Sequence, residues 1–287
     1  MKTYNDLYLT ARRELRAAGV DAHDLEARLI AQYAAGKTRE ELLVSARLFI
    51  TDSAIIKIVE NAIERRLNGE PIAYIVGEWE FYGLPITVNK SVLIPRIDTE
   101  FLTLNAIKLL KDRPVQSRIL DLCAGSGCIG LAIAANIPGS RIVLADNSES
   151  ALSVCRTNML RNKLSRNVTA IEVDVTEAPP ALLGMFDMIV CNPPYIPSGE
   201  LKTIDYSVSS FEPLNALDGG PDGMDFFRKI SKKWKSVLNT PGGMLLFECG
   251  AGQAGNVKDI IFDEGFRDIE IFRDTQDIER VVLGYLR

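Results

Sequence analysis

Asn192-Pro193-Pro194-Tyr195 is the stretch of this 287-residue chain whose residue types and spacing suit one piece of chemistry, capture of a planar amino group. The side-chain oxygen of Asn192 and the carbonyl of Pro193 can accept the two hydrogens of a conjugated –NH2. Proline holds the residue before it in extended geometry and has no N–H, so two in succession make a stiff loop whose carbonyls can face a site. Tyr195 adds a flat face for the same planar group. Phe186–Cys191, just upstream, is a short apolar run that predicts a buried parallel strand. The motif therefore falls at a strand's carboxyl end, where open α/β sheets hold ligands. A bare Asn-Pro-Pro would be better read as a simple turn; the residues upstream decide against that reading.

The second cluster is Asp121-Leu122-Cys123-Ala124-Gly125-Ser126-Gly127, joining an apolar run to a helical pattern. Glycines at such a turn let the backbone approach a ligand and aim a helix N-terminus at it. The next predicted strand ends in Asp146, where an acid holds ribose hydroxyls, and the third ends in Asp174, where a carboxylate can accept from an adenine amino group. Three acids at three successive strand ends describe a nucleoside pocket. NAD and S-adenosylmethionine both suit one. The NAD fingerprint is G-x-G-x-x-G, whereas here an acid leads the turn, which repels a pyrophosphate and can receive an ammonium group. The pocket is therefore read as one for S-adenosylmethionine, with S-adenosylhomocysteine as the product.

These residues need a scaffold, and the chain supplies an alternating one. Residues 1–70 carry helical patterns only. Asp21 is a candidate cap for the second helix, Thr38 with Glu41 resembles a capping box, and Asp52 opens a longer helix. Residues 71–97 contain short β-like runs at Ile72–Val76, Trp79–Tyr82 and Ile86–Val88, predicting a hairpin linker. From residue 98 onward helix and strand alternate, the strands being apolar, which predicts a mostly parallel, doubly wound α/β sheet. The closely spaced final strands predict an antiparallel hairpin at the sheet edge.

Hydrophobic residues make up 47% and charged residues 25%, as in an ordinary globular protein. No apolar run approaches the ~20 residues of a membrane span, and the first residues lack a signal-peptide pattern, so a cytoplasmic protein is expected. The net charge of −5 and the absence of a basic cluster argue against a duplex nucleic-acid substrate. Five cysteines without a Cys-x-x-Cys pair, and one histidine, predict neither a metal site nor a disulfide framework.

The order of the Asp121 turn, Asp146, Asp174 and Asn-Pro-Pro-Tyr resembles class I amino-methyltransferases. Further segments narrow the likeness: Gly69–Gly77, Phe81–Pro85, Val92–Glu100, Glu212–Leu217, Gly219–Gly223 and the tail from Arg273 resemble the HemK/PrmC family. That resemblance covers roughly residues 10–287. It implies a helical N-terminal domain that docks substrate, a hairpin linker over 71–97 and a Rossmann-like catalytic domain over 98–287, with a seven-stranded sheet. It implies methyl transfer to the side-chain amide nitrogen of the glutamine in the Gly-Gly-Gln motif of bacterial class 1 peptide chain release factors, by a monomer.

By that resemblance Asn192 and Pro193 hold the glutamine amide, Pro194 and Tyr195 pack on it, and Asp121, Cys123, Ala124, Gly125, Ser126, Gly127, Asp146, Asp174, Val175 and Asn192 line the cofactor. Thr99 and Arg96 close over the methionine end or the substrate loop, a helix cap and a surface ion pair being the plainer reading of the two. The family usually has glycine where this chain has Cys123, and often an aromatic ring where it has Val175; the latter exchange forgoes stacking worth about 1 kcal/mol. Two other substrates use the same chemistry: a ribosomal-protein glutamine, and adenine N6 in DNA, which would also demand base flipping and a phosphate grip.

Overall fold

A computed structural model describes residues 2–111, 113 and 116–287. Residues up to Glu78 together with Tyr206–Phe211 form one compact unit; Trp79–Asp205 with Glu212–Arg287 form the other.

The first unit is helical. Helix α1 (Tyr4–Ala17) opens with a reciprocal capping box between Thr3 and Asp6 and buries Leu7, Ala11 and Leu15, one residue per turn of a single face. Helix α2 (His23–Ala35) starts after Ala22 with no side-chain cap, so Asp21 does not play the capping part its position suggests. Helix α3 (Arg39–Ser45) has the Thr38/Glu41 capping box, and α4 (Ser53–Leu67) begins where the Asp52 carboxylate accepts from the Ala54 N–H at 2.8 Å. Ile72–Val76, whose pattern predicts a strand, is the short helix α5. Five consecutive apolar residues carry no periodicity that separates strand from buried helix. The flanks decide: Pro71 presets the entry, and Gly77 takes φ 76° to close the turn, its N–H donating to the Ala73 carbonyl.

Strands β1 (Glu78–Phe81) and β2 (Leu84–Thr87) form the two-stranded hairpin. The chain then runs through α6 (Thr99–Lys111), β3 (Arg118–Leu122), α7 (Cys128–Asn136), β4 (Arg141–Asp146), α8 (Glu149–Arg161), β5 (Val168–Glu172), β6 (Met188–Cys191), α9 (Tyr206–Phe211), α10 (Asp225–Trp234), β7 (Gly243–Glu248), α11 (Ala254–Asp263), β8 (Phe266–Arg273) and β9 (Glu279–Leu286). The seven strands of the large sheet lie in the order β5-β4-β3-β6-β7-β9-β8. All pairings from β5 to β7 are parallel, and β9 runs antiparallel between β7 and β8.

This order decides where a ligand can sit. From β3 the chain winds outward through β4 to β5, then returns to the other side of β3 to place β6, so the switch point lies between β3 and β6. Every residue of β6 and β7 is buried, which explains their unbroken apolar character. Met188, Ile189 and Val190 each gain about 1.5–3 kcal/mol from that burial. The carboxyl ends of β3, β4 and β6 are thereby fixed by packing before any loop is considered. Among the described residues no helix is long and apolar enough to cross a membrane.

Candidate functional site

A cleft opens over those strand ends. Its walls include Cys123, Ala124, Gly125 and Ser126 from the turn after β3, Asp146 from β4, Val173 and Val175 beyond β5, and Asn192 and Pro194 beyond β6. Thr99 and Arg96 also line it. Ten of the predicted site residues are thus brought to the lining of one cleft.

The turn after β3 owes its shape to two carboxylates. Asp121 is wholly buried beneath it; its Oδ2 accepts from the Gly130 N–H at 2.9 Å, while Oδ1 has no hydrogen-bond partner. That approach requires glycine at 130, because a Cβ there would come within 2.4 Å of the Leu144 side chain and 3.1 Å of Asp121 Oδ2. Asp146 accepts from the Gly125 N–H at 2.9 Å and from the Ser148 N–H at 3.0 Å, tying the turn to the start of α8. From α8, Asn158 donates to the Ser126 carbonyl at 2.9 Å and the Cys155 thiol to the Gly125 carbonyl at 3.1 Å. Neither of those two supports is signalled by a motif. Cys123 adopts φ 56°, the left-handed region that favours glycine, so it bears strain of about 1–2 kcal/mol. All five cysteines are free thiols.

Burial pushes the Asp121 carboxyl up to about 7, against the Gly130 N–H that pulls it down, with the neighbouring Asp146 charge adding to the rise. Between its ordinary value near 3.8 and about 7, the folded state therefore holds a proton that the unfolded chain releases. The contribution of this group to stability falls as pH rises through that window and is level above it. Replacing Asp121 with Asn removes the titration. Urea unfolding midpoints, measured without ligand from about pH 5 to about pH 8, should show the variant gaining on the parent protein as pH rises. A pH-independent difference between the two would contradict the buried, proton-holding state.

Asp174 behaves differently. Its carboxylate is exposed, accepts from the Thr176 N–H at 2.8 Å and is held below the usual carboxylate range by the Thr176 hydroxyl first and that N–H second. It is not among the residues lining the cleft. An Asx turn onto its own backbone competes with the adenine contact that its strand-end position suggests. The apolar Val173 and Val175 form the wall there instead.

The Asn192–Tyr195 segment is gripped from several sides. Asn192 Nδ2 lies 3.2 Å from Thr99 Oγ1 at the first residue of α6, and donating there leaves Asn192 Oδ1 uncommitted. Pro193 and Pro194 are buried and Tyr195 is half-buried, and burial raises the Tyr195 phenol. Gln253 Nε2 donates to the Tyr195 carbonyl at 2.8 Å, and Ile196 exchanges backbone hydrogen bonds with Leu217 and Gly219. Gly219 packs so closely that a Cβ would stand 2.7 Å from Tyr195 Cα and 2.9 Å from the Pro194 carbonyl oxygen. The Gly219–Gly223 segment is thus a brace for the loop. Pro193 and Tyr195 are not among the residues lining the cleft. Arg96 donates to the buried Glu212 at 2.5 Å, and Glu212 also accepts from the Ile94 N–H at 3.2 Å, so the residues before α6 are strapped across the cavity wall.

Glu248, the last residue of β7, is the functional candidate that no motif announces. It is buried, burial raises its carboxyl to about 7, and Thr99 and Asn192 face it as donors that offset part of that rise. An acid closing the apolar run Met244–Glu248 was the available signal, the same one that marks Asp146. Among the described residues no group of three or more His, Cys, Asp or Glu is arranged to hold a metal ion.

Comparison with known proteins covers both units. The family model "Methyltransferase small domain" matches residues 99–206, and "PrmC N-terminal domain" matches residues 6–77. The release factor glutamine methyltransferase of Thermodesulfovibrio yellowstonii is 40% identical over 78% of this chain and 80% of its own length. The protein of the same name from Caulobacter vibrioides is 34% identical over 96% of this chain and 94% of its own. The crystal structure of the hMettl16 catalytic domain in complex with MAT2A 3′UTR hairpin 1 superposes with a TM-score of 0.59 at 17% identity, over 91% of each chain, which is a likeness of fold.

Proposed function

This chain belongs to the PrmC family of release factor glutamine methyltransferases, and from that premise we propose that it methylates the side-chain amide nitrogen of the Gly-Gly-Gln glutamine in bacterial class 1 release factors, with S-adenosylmethionine as donor. It is an enzyme, a protein-glutamine methyltransferase. The observation that carries the finer reading is the Asn192 amide, 3.2 Å from Thr99 Oγ1, in the same cleft as the turn over Asp121.

The residues fit the donor. The unpartnered, buried Asp121 Oδ1 offers an acceptor under the turn, suited to an ammonium group. Asp146 spends one lone pair per oxygen on Gly125 and Ser148, leaving carboxylate capacity for ribose hydroxyls. Val173 and Val175 give the apolar wall for a base. When bound, S-adenosylmethionine supplies an electrophilic methyl group on a sulfonium.

The protein's own task is to present the nucleophile. An amide nitrogen is weak because its lone pair is delocalised into the carbonyl. Asn192 Oδ1 and the Pro193 carbonyl accept the two N–H bonds of the substrate amide, turning its nitrogen toward the donor and favouring a pyramidal geometry. Both acceptors grow stronger as positive charge develops on that nitrogen, which is stabilisation of the transition state over the ground state. The proton becomes acidic only as the new bond forms, so no strong base is required beforehand. The helical unit, residues up to Glu78 with Tyr206–Phe211, is the proposed docking module for the release factor.

Incubation with labelled S-adenosylmethionine and, separately, a class 1 release factor, ribosomal protein and duplex DNA tests the substrate. Label in the release factor alone is expected; label in ribosomal protein or DNA with none in the release factor overturns the reading.

A further inference from the structure

An asparagine amide can face either way, and here its orientation decides whether oxygen or NH2 meets the substrate. Thr99 Oγ1 does not settle this alone, because a hydroxyl can accept from Nδ2 or donate to Oδ1. The next shell does. Cys191 pairs with Phe247 across β6 and β7, so Asn192 and Glu248 follow as neighbours at the two strand ends. Glu248 is 2% exposed and its Oε2 has no hydrogen-bond partner among the described residues. An ionised carboxylate only accepts, so it draws the single Thr99 hydroxyl proton, leaving the Thr99 lone pairs for Asn192 Nδ2, and it favours the same amide orientation through Asn192 Nδ2, which also faces it.

Resting on the function proposed above, we propose that Glu248 is a positioning residue: ionised, it fixes Thr99 as an acceptor and thereby holds the Asn192 oxygen toward the substrate amide. Protonated, it can donate to Thr99, which can then donate to Asn192 Oδ1 and turn the NH2 group toward a substrate that has only N–H bonds to offer. The arrangement is a chain of three side chains from β7, α6 and the loop after β6. No covalent step is involved.

The carboxyl titrates within a defined surrounding. Asp98, ahead of α6, and burial oppose its ionisation, while Arg280 of β9 favours it; Arg280 is itself paired with Asp98 at 3.0 Å and Asp274 at 3.1 Å. Tyr195, Cys128, Cys191 and Cys249 also face this charge, and each is pushed up, so they stay neutral near pH 7. Of these groups Glu248 is the one raised to about 7; Asp121, beneath the turn after β3, is raised likewise and shares Cys128 and Cys191 as neighbours. Because the ionised form of Glu248 is the active one, kcat should fall as pH drops through that value.

The test is steady-state kinetics of Glu248→Gln on a release factor across pH, beside the parent enzyme. Gln has one acceptor oxygen in place of two and no titration. The expected result is a kcat about 10-fold lower or more, KM values for both substrates within about 3-fold, and a changed acid limb in the kcat–pH profile, from which the Glu248 ionisation has gone. A kcat near that of the parent, or an acid limb unmoved in the variant, overturns the proposal. If Glu248→Gln does not fold, Thr99→Val decides: it should lose kcat similarly, with Thr99→Ser restoring it, and equal activity of Thr99→Val and the parent overturns the relay. A parent enzyme that methylates no release factor would instead count against the function proposed above.

Discussion

Asn192→Ala is expected to slow methyl transfer by about 10²–10³-fold, the range seen when one transition-state hydrogen-bonding group is removed. The loss has two sources: an acceptor for a substrate N–H disappears, and the amide is no longer aimed at the donor. Asn192 lines the cleft, but the turn beneath the cofactor is held by Asp121, Asp146 and Asn158 rather than by Asn192. S-adenosylmethionine affinity should therefore stay within about threefold, under ~1 kcal/mol. Calorimetric binding and single-turnover rates on the same preparation separate the two effects. Turnover near the parent rate would remove Asn192 from the amide clamp.

Asp146→Ala is expected to act at the opposite step, weakening S-adenosylmethionine binding by about 10²-fold with the fold intact, through a group that shapes the turn and is proposed to meet the ligand. The change frees the Gly125 N–H and the Ser148 N–H, which the carboxylate now collects from two segments. It also takes away the acceptor left for ribose hydroxyls. Burial raises this carboxyl, so its retention has a cost to the free protein, and removing it should not lower the unfolding midpoint in proportion to the affinity lost. Calorimetric Kd values alongside urea unfolding check both halves. Unchanged affinity would take Asp146 out of the cofactor site.

Much of this was legible before any coordinates. The seven apolar or alternating runs became the strands of the sheet: unbroken burial leaves an unbroken apolar run, as in Met188–Cys191, and a half-exposed edge strand such as Phe266–Arg273 alternates. Asp121, Asp146 and Asn192 were legible because they punctuate such runs, and the sheet order then brings their ends together. What escaped was of two kinds. Ile72–Val76 carried no period, and only Pro71 and Gly77 chose helix over strand. Asp174 stands at a strand end as Asp146 does, yet it folds onto Thr176; a local Asx turn and a ligand contact look identical in one dimension. The bond from Asn192 to Thr99 spans 93 positions, and no spacing rule reaches that far. Glu248 had the right signature, an acid closing an apolar strand, but its meaning depends on β7 lying beside β6.

The central claim is that the Asn192–Tyr195 loop presents a glutamine amide, on a protein, to a methyl donor held over Asp121. Tandem mass spectrometry of a class 1 release factor after reaction with the enzyme and S-adenosylmethionine tests it most directly. The account expects one added methyl group, located on the side-chain nitrogen of the Gly-Gly-Gln glutamine and absent when Asn192 is alanine. A release factor left unmodified, or modified at any other residue, would contradict it.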